Sequence, residues 1–270
     1  MSRLGEVFAA IRESPDPGLI TFVTAGDPDR DRSAEILQVL DRSGADVIEV
    51  GVPFSDPLAD GPVIQRACER ALKSGTTLRS VLQMVSVLRG SINAGIVLFT
   101  YANPVIRMGL RQFLTRSADS GVDGVLILDL PIEESDEFRF ESERVGVDPI
   151  FLLSPTTTDE RIARASEHGR GFLYGISRLG VTGARETIST AAKDLAVRIR
   201  RLTDMPLALG FGISRPEHVA QVCQWADAAV VGSGLVDVIA RANPETVLAD
   251  IERYVHWLRG DDETAQGREK

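Results

Sequence analysis

The sequence predicts a closed barrel of parallel β-strands, each followed by a helix, with one extra helix at the N-terminus. Three observations carry this. Short apolar runs alternate along the chain with segments of helical spacing, the pattern of βαβ units. About eight such units fit in roughly 250 residues, the span of a (β/α)8 barrel. The turn after the first run reads TAGDPD, not the GxGxxG expected of a doubly wound open sheet, the runner-up.

Each element follows from its residues. MSRLGEVFAAIRE spreads charges through its apolar positions, so it reads as a short amphipathic helix and not a signal peptide. The strand candidates are LITFVTA (19–25), DVIEVGV (46–52), GIVLFTY (95–101), DGVLILDL (123–130), DPIFLL (148–153), GFLYGIS (171–177), MPLALGFG (205–212) and DAAVVGSG (227–234). Segments such as RSAEILQVLDRSG, LRSVLQMVSVLRG and TDERIARASEHG supply the helical spacing between them. No linker or low-complexity tract interrupts the pattern, which gives one barrel domain over 1–259 and a polar, frayed tail over 260–270. The Gly-rich RLGVTGARE (178–186) follows the sixth strand, where barrel loops build the active site, and is expected to act as a lid.

Bulk properties narrow the function. The 270 residues are 43% hydrophobic and 26% charged, an ordinary globular composition whose apolar runs are strand-sized and short of the ~18 residues of a membrane helix. A formal charge of −9 argues against a general role on nucleic acid or anionic membrane. Cys68 and Cys223 lie in separate helical patterns and form no zinc spacing. A reduced cytoplasmic protein is the simplest expectation.

In a barrel, chemistry sits where strands end and βα loops begin. His168, His218 and His256 all fall in helical patterns, which disfavours a histidine base or a histidine-bound metal. Lys73, Lys193 and Lys270 end no strand, which disfavours a Schiff-base aldolase. Both cysteines are read as helical, so a thiolate nucleophile is disfavoured too.

Carboxylates remain. Glu49 sits among Val47, Ile48 and Val50 in the second strand. A carboxyl in apolar surroundings has a raised pKa, which suits a group that both accepts and donates a proton near neutral pH. The competing reading is a buried glutamate paired with an arginine. Asp60, in ADGPVIQRA, reads equally as a helix cap beside Pro62 and as a functional carboxylate. Asp56 reads as a turn former, and Asp129, in LDLP, as a loop brace. Asp27 follows the first strand. Tyr101 and Tyr174 lie on the third and sixth strands, where core packing is the commoner role.

A phosphate signal completes the reading. GFGIS (210–214) ends the seventh strand and VGSG (231–234) the eighth. Loops after strands seven and eight form a recurrent phosphate site in barrels, built from backbone N–H groups and a helix N-terminus. The residues therefore describe a barrel enzyme acting on a phosphorylated small molecule by carboxylate acid–base chemistry.

The blocks IEVGVPFSDPLADGPVIQRA, FVTAGDPD, YANPV, DLPIEE, SPTTTDERI, LYGISRLGVTGAR and GFGIS together resemble the tryptophan synthase alpha chain family, over roughly residues 3–258. The resemblance implies retro-aldol cleavage of indole-3-glycerol phosphate to indole and glyceraldehyde 3-phosphate. It implies Glu49 as the proton-relaying acid–base, Asp60 as the ionised carboxylate on the indole N–H, and Tyr174 as an assisting hydroxyl. It puts Phe211, Gly212, Gly183, Gly232 and Ser233 around the phosphate, Thr182 in the closing loop and Tyr101 against the substrate. VVGSG stands where many relatives read Gly-Ser-Ala, so Gly234 is a departure. The family works as an alpha–beta–beta–alpha complex. Pyridoxal phosphate is carried by the beta chain and none is expected here. Segments 53–60, 102–108 and 131–135 would face that partner. A stand-alone indole-releasing lyase, a mainly regulatory partner of the beta chain and a sugar-phosphate isomerase are the alternatives.

Overall fold

The computed structural model describes residues 2–176, 190–210 and 212–261. Its strands are β1 (Gly18–Thr24), β2 (Val47–Gly51), β3 (Gly95–Thr100), β4 (Gly124–Ile127), β5 (Asp148–Leu153), β6 (Leu173–Ile176), β7 (Leu207–Gly210) and β8 (Ala228–Val231). Each pairs in parallel with its sequence neighbour, and β8 closes on β1. The chain thus solves its burial problem as a barrel, since a parallel sheet must be covered on both faces.

The helices are α1 (Arg3–Glu13), α2 (Arg30–Arg42), α3 (Pro62–Lys73), α4 (Leu78–Leu88), α5 (Ala102–Met108), α6 (Leu110–Asp119), α7 (Asp136–Val145), α8 (Asp159–His168), α9 (Thr190–Leu202), α10 (Pro216–Val222), α11 (Ser233–Arg241) and α12 (Val247–Arg259). The extra N-terminal helix is present as expected. Three crossovers differ from one helix per strand, because α3–α4, α5–α6 and α11–α12 come as pairs. Gly75 and Gly109, at φ +79° and +87°, break two of these pairs, a conformation that favours glycine. Cys223 stands one residue past α10 as its C-cap, not within a helix.

Strand ends are tighter than the apolar runs. The run 227–234 stops at Val231 because Ser233 already opens α11. Asp46, Asp123 and Asp227 sit just outside their strands. Their carboxylates accept the N–H of Leu19, Ile96 and Leu207 at 2.8, 2.8 and 2.7 Å. These acids fasten the N-terminal end of the barrel and are held there by Arg259, Arg89 and Arg200.

Alternation within the strands fixes what faces the interior. Ile20, Val47, Val97, Leu126, Ile150, Phe172, Tyr174, Ala208, Ala228 and Val230 form one buried cluster, joined from below by Leu4, Phe8 and Ile11 of α1. The α1 helix is therefore a plug. Its Phe8 ring lies 5.0 Å from that of Phe172, and burying such a ring contributes about 2–3 kcal/mol. The larger second cluster lies between strands and helices. The plugged floor leaves the opposite end of the barrel, where the strands' C-termini meet the βα loops, as the place for chemistry.

Candidate active site

Glu49 shares its strand parity with Val47, which belongs to the interior cluster, so its side chain enters the barrel. It is fully buried. Among the described residues neither carboxylate oxygen has a hydrogen-bond partner, and no ion pair reaches it. No arginine among the described residues pairs with it, against the arginine-paired reading. Burial without compensation disfavours the charged form and pushes the Glu49 carboxyl up to about 8. Among the described residues the strands carry one other carboxyl, Asp148 at the start of β5, and it accepts the Ser2 hydroxyl at 2.5 Å.

Tyr174, on the inner face of β6, is buried. Its hydroxyl is raised well above the ordinary phenol range, first by burial and then by the negative charge of Glu49. Two groups 125 positions apart in sequence thus share one field. Glycine on β7 makes room for the phenol: a Cβ at Gly210 would lie 2.6 Å from the Tyr174 hydroxyl.

Phe22 was not singled out by the sequence reading. It pairs with Glu49 in register across β1 and β2, and its ring meets Phe99 edge-on at 5.4 Å. A Cβ at Gly51 would strike the Phe22 ring at 2.6 Å, and one at Gly232 would come within 3.5 Å of Phe22. Phe22 therefore lies between the ends of β2 and β8, in a slot lined by glycine. The signal was available: Phe22 follows Ile20 by two in a strand, so both face inward.

Asp60 precedes α3, and its position resolves the cap question. The N-cap is Gly61, with no side-chain cap bond, and Pro62 takes the first turn. The Asp60 carboxylate instead accepts the Tyr101 hydroxyl at 3.0 Å. Burial raises its pKa to about 6, against the lowering effect of that hydrogen bond. The two carboxyls are thus set about two units apart, with Glu49 the weaker acid. Near neutral pH Glu49 is mostly protonated and Asp60 mostly ionised, the separation of roles that acid–base sites exploit.

The remaining acids are structural, as expected for two of them. Asp129 accepts the Ala102 N–H at 2.6 Å and braces the loop after β3. Asp56 accepts from its neighbour Ser55 in the turn. Asp27 makes a two-pronged pair with Arg70 at 2.6 and 2.8 Å.

At the ends of β7 and β8, three and two strands round the barrel from β2, Gly212 takes φ +82°, and Gly232 is the N-cap of α11 with no side chain to offer. The first N–H groups of α11 therefore have no side-chain cap. The loops after β7 and β8 touch. A Cβ at Gly234 would lie 3.1 Å from Ser214 and would overlap the Tyr254 hydroxyl, which donates to the Ser214 carbonyl at 3.0 Å. That contact is the reason for glycine at 234: Tyr254 fills the space an alanine methyl needs. Phe211, Thr182 and Gly183 lie outside the described residues, as does the segment 178–186 expected to act as a lid. Among the described residues, no group of three or more His, Cys, Asp or Glu is placed to hold a metal ion, and no helix is long and apolar enough to cross a membrane.

Fold and side chains together define a (β/α)8-barrel protein with two buried carboxyls of unequal acidity at its C-terminal mouth, the equipment of an acid–base enzyme. Comparison with known proteins makes this specific. Residues 8–260 match the family described as tryptophan synthase alpha chain, and the chain belongs to that family. It is 44% identical to the tryptophan synthase alpha chain of Cyanothece sp. over 260 residues, 96% of this chain and 97% of that one. Identity to the alpha chain of Methanoregula boonei is 46% over 263 residues, 96% and 98% of the two chains. Among solved structures it resembles Mycobacterium tuberculosis tryptophan synthase, with a TM-score of 0.89 at 38% identity over 96% of this chain and 98% of that one. It also resembles the alpha subunit from Legionella pneumophila, with a TM-score of 0.87 at 33% identity over 97% and 98%.

Proposed function

We propose that this chain, the alpha subunit in tryptophan synthesis, is a lyase that cleaves indole-3-glycerol phosphate to indole and glyceraldehyde 3-phosphate. The observation that carries the reading is Glu49: a carboxyl inside the barrel, fully buried, unpartnered among the described residues and raised to about 8. A permanently paired acid could not trade protons with a ligand. This one holds a proton at neutral pH and can give it up.

The reaction needs a proton on the indole ring carbon that carries the glycerol chain, and removal of the proton from the adjacent glycerol hydroxyl. Protonated Glu49 supplies the first. The ring then carries positive charge delocalised to its nitrogen and becomes the electron sink. The carboxylate of Glu49 next takes the hydroxyl proton, the carbon–carbon bond breaks, and its electron pair restores the aromatic ring. The hydroxyl carbon leaves as the aldehyde, and Glu49 is again protonated. Asp60, ionised above about 6, accepts the ring N–H and stabilises the developing charge in a site from which water is excluded. The Tyr174 hydroxyl, beside Glu49, assists by hydrogen bonding.

The phosphate is held by Gly212, Gly232 and Ser233, with Phe211 and Gly183 completing the site and Thr182 in the closing loop by family resemblance. The unencumbered start of α11 supports this half of the reading. The slot beside Phe22 and Phe99 suits a flat ring.

The partner is a beta chain, assembled as alpha–beta–beta–alpha, and pyridoxal phosphate belongs to that chain alone. Leu58 and Ile106 support this docking face. They are 89% and 74% exposed, large and apolar, on two of the segments expected to meet the partner. The comparisons do not favour a stand-alone lyase or a purely regulatory chain.

Indole release from indole-3-glycerol phosphate, followed with and without the beta chain, tests the proposal. Glu49→Gln should fold and lose several orders of magnitude in turnover. Asp60→Asn should be severely impaired while still binding the phosphate end. Near wild-type cleavage by Glu49→Gln would overturn the assignment of the acid.

A further inference from the structure

The Tyr101 hydroxyl is engaged on two sides. The Ala59 N–H donates to it at 3.2 Å, and it meets Asp60 Oδ2 at 3.0 Å. An amide N–H is donor only, so the phenol must accept there. A phenol has one proton, and the bond to Asp60 must carry it. The direction of the Tyr101–Asp60 bond is therefore fixed by its neighbour.

The ring is placed for this duty. Tyr101 is the N-cap residue of α5, yet its side chain makes no cap bond. It is 6% exposed and packs on Phe54 with ring centroids 5.1 Å apart. Phe54, Ala59 and Asp60 all belong to the loop between β2 and α3, so one side chain from β3's end grips that loop at three points. Gln65 holds the other end of the same residue, donating to the Asp60 carbonyl at 2.8 Å. The backbone of Asp60 is tied to α3 and its carboxylate to Tyr101.

We propose that Tyr101 is a positioning residue for Asp60 and not primarily a substrate contact: its hydroxyl, oriented by the Ala59 N–H, commits its proton to one carboxylate oxygen and leaves the other aimed at the indole N–H. The catalytic half of this rests on the lyase reading given above. Tyr101 touches no reacting atom and acts through Asp60.

Tyr101→Phe removes the hydroxyl and keeps the ring on Phe54. In the complex with the beta chain, kcat for indole release should fall about 10- to 100-fold, the range for losing a hydrogen bond to a charged group, with KM changed less than about threefold. The acid limb of the rate profile should move to higher pH, because a donor that favours the carboxylate is gone. In Tyr101→Phe/Asp60→Asn the loss should not exceed that of Asp60→Asn alone. An unmoved acid limb, or a fall confined to KM, overturns the proposal. A second readout is independent of turnover: carboxyl-13C titration of Asp60 in labelled protein, identified by its loss in Asp60→Asn, should shift upward in Tyr101→Phe. If wild type releases no indole, the lyase reading fails while this titration still decides whether Tyr101 governs Asp60. An unchanged titration curve refutes the positioning role.

Discussion

The Tyr174 hydroxyl occupies the space above Gly210, so that a Cβ on the glycine would lie 2.6 Å from the oxygen and 3.0 Å from the ring carbon bearing it. The absence of a side chain on β7 is what permits a phenol on β6 to stand beside Glu49. Gly210→Ala should therefore displace the phenol, costing about 1–3 kcal/mol of stability as an overpacked site and lowering indole release about tenfold or more. Tyr174→Phe removes the nearest atom, so the double variant should recover part of the stability loss. A thermodynamic cycle by urea unfolding measures the coupling, and strictly additive losses would refute the contact.

Glu49 makes stability depend on pH in a defined direction. Its folded pKa, about 8, lies above its ordinary value of 4.5. Below pH 4.5 the carboxyl is protonated in both states and adds no pH-dependent cost. Between 4.5 and about 8 the unfolded chain ionises while the folded one keeps its proton, so stability falls as pH rises, and above about 8 the penalty is constant. The total is about 5 kcal/mol. Relative to wild type, Glu49→Gln should gain stability steadily from pH 5 to 8 in denaturant titrations. A difference that does not vary with pH would mean that the carboxyl is not desolvated.

The same pair of acids sets the rate profile. Cleavage begins with Asp60 ionised, about 6, and Glu49 protonated, about 8, so kcat/KM should be bell-shaped with its maximum near neutrality. Steady-state rates from pH 5 to 9.5 check this. A profile rising monotonically through pH 9 would show that Glu49 starts the reaction ionised.

Asp27 is almost wholly buried, and its pKa is raised by burial despite its pair with Arg70. Removing the arginine strands that carboxyl. Arg70→Met should cost about 2–3 kcal/mol, less than the roughly 3–5 for breaking a fully buried pair because Arg70 is itself 32% exposed. Asp27→Asn in the same background should restore some of the loss, and chemical denaturation of the three variants measures it. If the double variant is no more stable than Arg70→Met, the penalty does not come from the orphaned charge.

The α1 plug predicts a stability effect remote from the mouth. Phe8 is fully buried against Phe172, so Phe8→Ala should cost about 3–5 kcal/mol. Well below the melting temperature, KM should stay near wild type. A loss under about 1 kcal/mol would mean that the barrel floor closes without the helix.

Local features of the chain were enough for the barrel and its principal acid. Apolar runs of strand length, helical spacing between them and Glu49 standing in the second run are short-range patterns, and the structure keeps all eight runs as strands. The loop-bracing role of Asp129 was legible for the same reason, since turn chemistry is local. The paired helices after β2, β3 and β8 were not, because the periodicity of two short helices in succession reads like one interrupted helix.

The sequence by itself determined which elements form and which acid is out of place among apolar neighbours, because strand and helix periodicity and side-chain desolvation act over a few residues. Only the tertiary structure decided what Asp60 does: with Gly61 as the cap, its carboxylate turns to a tyrosine 41 positions away. It alone brought Tyr174 beside Glu49, set Phe22 at the mouth and gave Gly234 its reason in the Tyr254 hydroxyl. Those pairings depend on the closure and stagger of the whole barrel, which bring distant strand ends to one rim, and no window along the chain contains that geometry.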